Sequence, residues 1–141
     1  MAYPEGVREP LQGLFVLEGT PFRDARGVFG RLFDREWEIS SLPGMAVAQV
    51  NHSVTLGRGT VRGLHYQVSP YCETKLVSCI RGRVYDVVVD VRRSSPDFLR
   101  WHSEVMSSEK LCTLVVPPGF AHGFQVLDDE CELIYVHSQP Y

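Results

Sequence analysis

Short apolar runs recur along the whole chain, many alternating with polar residues and separated by turn residues. They are Leu14–Leu17, Val28–Phe33, Met45–Val50, Thr60–Gln67, Lys75–Ile80, Val84–Val91, Leu99–Met106, Cys112–Val116, Phe120–Leu127 and Leu133–His137. Runs this short, spaced this closely, predict roughly ten strands and an all-β sandwich or barrel. Helical periodicity is scarce. One short helix is predicted over Asp34–Leu42, capped by Asp34, and a single helical turn over Ser107–Lys110. No internal repeat or linker interrupts the pattern, so residues 1–141 read as one domain.

The run Val84–Val91 separates two faces. Tyr85, Val87, Val89 and Val91 fall on one, and Val84, Asp86, Val88 and Asp90 on the other. The wholly apolar face is expected to pack against a second sheet. The carboxylate-bearing face has two readings: the polar lining of a binding cavity, or the solvent side of an edge strand.

Composition narrows the function classes. Hydrophobic residues make up 44% of the 141 positions, as in ordinary globular chains. Lys and Arg number 14 against 17 Asp and Glu, a net charge of -3, which argues against a nucleic-acid partner. No apolar stretch reaches the length of a membrane span and Met1–Glu9 has no signal-peptide core, so no membrane partner and a cytoplasmic location are expected. Cys72, Cys79, Cys112 and Cys131 form no CxxC pair and read as reduced, mostly structural thiols.

Candidate chemistry sits in three places. Gly57-Arg58-Gly59 superficially resembles a phosphate loop, but it runs into a strand rather than a helix, so two glycines bracketing a hairpin are expected. In the following strand, alternation puts Arg62, Leu64 and Tyr66 on one face and Val61, Gly63, His65 and Gln67 on the other, with Gly63 leaving room beside the His65 imidazole. Pro117-x-Gly119-x-x-His122 looks like the second motif of cupin barrels. The first motif reads His65-Tyr66-Gln67, and two histidines are too few for a closed metal site, so neither metal nor other cofactor is expected.

Taken together in order, several blocks carry a family resemblance. They are Phe22-x-Asp24-x-Arg26-Gly27-x-Phe29, Gln49-Val50-Asn51-His52-Ser53, Gly59–Gln67, Lys75-Leu76-Val77, Gly82–Arg92 with Ser95-Pro96, Pro117–Phe124, and the tyrosines Tyr135 and Tyr141. The chain resembles the dTDP-4-dehydrorhamnose 3,5-epimerases, metal-free cupins of sugar-nucleotide metabolism. The resemblance implies a cupin jelly roll that works as a homodimer on a nucleoside-diphosphate 4-keto-6-deoxy sugar, exchanging protons at the carbons beside the ketone. His65 is then the base, Lys75 the stabiliser of the enolate oxygen and Tyr135 the acid, with His122 and Asp86 orienting one another behind the base. Arg26 and Arg62 are expected on the diphosphate, Gln49 and Asn51 on the sugar or nucleotide, and Tyr141 stacked near the ligand. Arg26 and Phe29 are expected to reach a partner subunit's pocket.

Two departures from the family pattern stand out. The family's C-terminal tail, whose aspartate pairs with the catalytic histidine, has no counterpart here, and Arg31 stands where many members carry Glu. A 3,4-ketoisomerase on the same substrate class, or a non-catalytic sugar-nucleotide binder, are the alternatives to an epimerase.

Overall fold

The computed structural model describes residues 4–37, 42 and 45–141. Its strands are β1 (Gly6–Leu11), β2 (Leu14–Gly19), β3 (Phe22–Asp24), β4 (Gly27–Phe29), β5 (Gln49–Leu56), β6 (Val61–His65), β7 (Lys75–Arg81), β8 (Arg83–Asp90), β9 (Trp101–Ser107), β10 (Leu111–Val116), β11 (Phe120–Val126) and β12 (Glu130–His137). A six-stranded sheet runs β1-β2-β10-β7-β12-β5, and a four-stranded sheet runs β6-β11-β8-β9. Strands β3 and β4 form a separate hairpin. All pairings are antiparallel. This is the all-β sandwich expected from the run spacing.

Strand parity sets the layers. Alternate residues of the six-stranded sheet (Leu14 and Val16, Val77 and Cys79, Leu114 and Val116, Cys131 and Leu133) face Val84, Val88, Phe120, Phe124 and Val126 of the other sheet in one core. The intervening residues Phe15, Leu17, Leu76, Val115 and Val136 form a second, outer core, covered by Trp37 and Leu42 with Leu32, Phe33 and Met45. The described residues Leu32, Phe33, Trp37, Leu42 and Met45 therefore cover the outer face of the large sheet. That explains why apolar residues there read as strands. Val28–Phe33 is strand only to Phe29, and Met45–Val50 only from Gln49. Their hydrophobicity serves packing without backbone pairing.

No helix occurs among the described residues. Asp34 makes a turn instead, its Oδ1 accepting from the Glu36 amide at 3.0 Å and its carbonyl from the Trp37 amide at 3.2 Å. The rest of the expected Asp34–Leu42 helix, apart from Leu42, lies outside the described residues. Ser107 ends β9, and Ser108–Lys110 form the turn that carries the chain to β10 in the other sheet, not a helical turn.

Two further expectations are corrected. In β8 the carboxylate-bearing face is the buried one: Asp86 and Asp90 are fully inaccessible, while Tyr85, Val87 and Val89 are half-exposed on the outside. Strand β8 lies between β11 and β9, so the edge-strand reading fails. Gly57 and Gly59, both at positive φ, do not close a hairpin. Strand β5 pairs with β12 and β6 with β11, so this turn carries the chain from one sheet to the other.

Asp90 is not a cavity residue. Burial pushes its carboxyl up, but hydrogen bonds from Arg92 and Ser95 win and hold it below the usual carboxylate range. Arg92 in turn lies 4.5 Å over the Phe120 ring. Burial pushes the Cys79 and Cys112 thiols up to about 12, which keeps them protonated and unreactive.

Candidate active site

A cavity of about 210 Å³ opens between the two sheets, where the inward faces of β5, β7 and β12 turn polar. Asn51, Arg62, His65, Lys75, His122, Tyr135 and Tyr141 line it, so seven of the sequence candidates meet at one place. Asp86 stands behind His122, fully buried, with its Oδ2 accepting from the imidazole Nε2 at 2.7 Å. An ionised carboxylate is acceptor-only, which puts the ring proton on Nε2. Asp86 Oδ1 is buried with no hydrogen-bond partner among the described residues.

Arg62 and His65 sit three residues apart, and simple alternation puts them on opposite faces. Both reach the cavity because β6 carries an extra residue. Arg62 pairs with Phe124 and His65 with His122, so three steps on β6 match two on β11. The bulge needs close backbone approach. A Cβ on Gly63, which has φ +100°, would meet the His122 carbonyl oxygen at 2.6 Å, and one on Gly123 would meet the Arg62 carbonyl at 2.6 Å. Gly63 therefore serves the bulge rather than space beside the imidazole. Arg62 is braced by a hydrogen bond from Nε to Thr55 Oγ1 at 2.8 Å. His65 is exposed, and no side chain among the described residues hydrogen-bonds its ring.

Lys75 and Tyr135 occupy the inward positions of neighbouring strands. Lys75 is buried, and loss of hydration lowers its pKa, while the carboxylates of Glu73 and Asp86 act to keep it charged. Burial pushes the Tyr135 phenol up to about 12, against a hydrogen bond in which Ser53 Oγ donates to its oxygen at 3.4 Å. At neutral pH this pocket therefore contains a protonated phenol.

Glu73 and His137 carry no signal in the sequence motifs, and Ser53 lies in the Gln49–Ser53 block without a role assigned to it there. Position 137 does share the inward face of β12 with Tyr135, and that parity is the clue. The Glu73 Oε2 lies 2.7 Å from His137 Nδ1, and both side chains are buried. Backbone ties place them: the Thr74 amide donates to Ser138 Oγ at 2.8 Å, and the Ser138 amide to the Thr74 carbonyl at 3.0 Å. The His137 ring stacks on Tyr135 with centroids 6.0 Å apart and on Tyr141 at 5.5 Å.

Four expected residues lie elsewhere in the chain. Gln49 shares the inward face of β5 but is outside the cavity lining. Arg26 and Phe29 sit on the exposed β3–β4 hairpin, with Arg26 Nη2 paired to Asp24 at 2.6 Å. Arg31 pairs with Asp34 at 3.4 Å and takes no part in the cavity.

A family model described as dTDP-4-dehydrorhamnose 3,5-epimerase matches residues 8–141. The dTDP-4-dehydrorhamnose 3,5-epimerase of Shigella flexneri is 41% identical over 136 residues, covering 96% of this chain and 75% of that protein. The enzyme of the same name from Sinorhizobium fredii is 42% identical over 120 residues, 85% of this chain, which spans 62% of its length. The crystal structure of the Legionella pneumophila dTDP-6-deoxy-D-glucose-3,5-epimerase, in complex with dTDP-4-keto-L-rhamnose, superposes with a TM-score of 0.86 at 34% identity, covering 96% of this chain and 72% of that one. By the match of the family model along nearly its whole length, and by these relatives, the chain belongs to the dTDP-4-dehydrorhamnose 3,5-epimerase family.

Proposed function

We propose that the cavity epimerises a nucleoside-diphosphate 4-keto-6-deoxy sugar at C3, C5 or both. The observation that carries this reading is the convergence of His65, Lys75 and Tyr135 on one cavity. A ketone acidifies the neighbouring C–H bonds because the resulting carbanion is delocalised onto oxygen. His65, exposed to the cavity mouth, takes the proton. The buried Lys75 ammonium meets the charge that develops on the keto oxygen, where low surrounding dielectric strengthens it. Tyr135 returns a proton to the opposite face of the carbon, and its phenolate is then reprotonated through Ser53 or solvent. Inversion at carbon needs this division of labour between a base and a separate acid. Family membership supports the same assignment.

A cavity of about 210 Å³ is smaller than the usual range of roughly 300–1,000 Å³ for sites that enclose a whole ligand. It suits the sugar. The nucleotide then lies across the open mouth beside Arg62 and Tyr141. A second copy completes that mouth: the β3–β4 hairpin leaves Phe22 and Phe29 56% and 63% exposed, with Arg26 between them as a diphosphate contact. Deletion of both side chains in Arg26→Ala/Phe29→Ala is expected to raise KM for the nucleotide sugar and leave the bare fold intact.

The test is the product formed from dTDP-4-keto-6-deoxyglucose. A ketone retained at C4 with altered configuration at C3 or C5 supports the epimerase. A ketone moved to C3 identifies a ketoisomerase instead, and binding without any product identifies a binding protein.

A further inference from the structure

Glu73, His137 and Asn51 form a chain of hydrogen bonds along one wall of the cavity that the proton transfers above do not use. Glu73 Oε2 is 2.7 Å from His137 Nδ1, and His137 Nε2 is 3.2 Å from Asn51 Nδ2. Each link constrains the next. The buried Glu73 carboxylate only accepts, so Nδ1 carries the ring proton. Nε2 is then an acceptor, and the Asn51 NH2 donates to it. That leaves Asn51 Oδ1 with no partner among the described residues, on a side chain that lines the cavity. Two tyrosine rings, Tyr135 and Tyr141, hold the imidazole by stacking on it.

We propose that Glu73 and His137 act as positioning residues that lock the Asn51 amide, so that the cavity presents a carbonyl acceptor there and selects a sugar carrying a hydroxyl at the facing carbon. An asparagine without such a lock rotates to offer NH2 or C=O as the ligand requires, and discriminates poorly. With the amide locked, a ligand lacking the hydroxyl strands a desolvated acceptor, which costs affinity. The choice of a sugar as ligand rests on the epimerase reading; the lock itself belongs to the free chain.

Two measurements on the full chain test this. Long-range proton–nitrogen NMR on the ligand-free protein is expected to show His137 protonated on Nδ1 alone. A proton on Nε2, with or without one on Nδ1, overturns the lock. Calorimetry then uses dTDP-6-deoxyglucose, which has no ketone and does not react, with its 2-deoxy and 3-deoxy forms. One deoxy form is expected to bind about tenfold more weakly than the parent, and Glu73→Leu, which leaves Nδ1 without an acceptor, to abolish that difference. Any effect of the lost charge on Lys75 cancels, because both ligands meet the same Lys75. If Glu73→Leu fails to fold, Asn51→Ala is expected to abolish the same difference. Equal affinity for all three sugars, or a difference that survives the substitutions, overturns the proposal. If no sugar binds while NMR gives the Nδ1 tautomer, the epimerase reading and the ligand named here both fall, but the lock stands.

Discussion

Strands β7 and β12 are paired along their length, yet their two ends do opposite things. At one end His137 pairs with Lys75, and at the other Leu133 pairs with Cys79, all four on the inward face. The apolar end joins Val84, Met106 and Cys131 in the main core. The polar end buries an ammonium, two carboxylates and two imidazoles within the same sandwich. Backbone pairing is the same at both ends. Only side-chain identity changes, and it divides stabilising the fold from chemistry. Burying the polar end costs free energy, which the hydrogen bonds Glu73–His137 and Asp86–His122 limit.

That contrast makes predictions that separate the ends. The largest effect belongs to His65→Ala, expected to cut turnover by about 10³-fold while the melting temperature stays put, since His65 is exposed and its ring has no side-chain partner among the described residues. Steady-state kinetics beside a thermal melt checks both halves. Leu133→Ala at the apolar end does the reverse. It is expected to cost about 3 kcal/mol of stability in denaturant melts, leaving kcat of the folded fraction unchanged.

Tyr135→Phe is expected to reduce inversion by about 10²-fold and uncouple it from exchange. Protonated His65 can still return the proton to the face it came from, so deuterium enters from heavy water with configuration retained. Loss of exchange in parallel with inversion would place Tyr135 in some other role.

The pH profile follows from the same burial. Lys75 sits below the ordinary lysine value of 10.5 and Tyr135 is pushed up to about 12. The alkaline fall in turnover therefore belongs to Lys75 and begins below 10.5, before the phenol ionises. For stability the sign is opposite: the buried ammonium is a cost at neutral pH, and that cost is relieved as pH rises through the folded value towards 10.5. Titration of kcat/KM and of denaturant stability over the same range tests the two slopes together. The smallest effect is at the surface, where Arg8→Ala removes ion pairs to Glu18 and Glu104 and is expected to change stability by less than about 1 kcal/mol.

The sequence pattern carries the sandwich well, because alternation and strand pairing coincide in β2, β7, β8, β10, β11 and β12. It misleads where apolar residues pack without pairing, as at Leu32, Phe33 and Met45, which cover the large sheet from a loop. It also assigns Arg62 and His65 to opposite faces, because a bulge reverses parity at Gly63 and alternation alone does not reveal one. Most of the candidate site is legible from motifs, since His65, Lys75, His122 and Tyr135 sit in recognisable blocks. The Glu73–His137 pair is not. Its members are 64 residues apart and meet only because the Thr74 and Ser138 backbones tie their segments together.

The central claim is that His65 removes a carbon-bound proton from a 4-keto sugar inside this cavity. Proton NMR of dTDP-4-keto-6-deoxyglucose in heavy water, with the intact chain and with His65→Ala, tests it most directly. The account predicts deuterium at C3, C5 or both with the intact chain, the ketone remaining at C4, and exchange reduced to the uncatalysed rate in the variant. Undiminished exchange in His65→Ala, or none with an intact chain that binds the sugar, would contradict it.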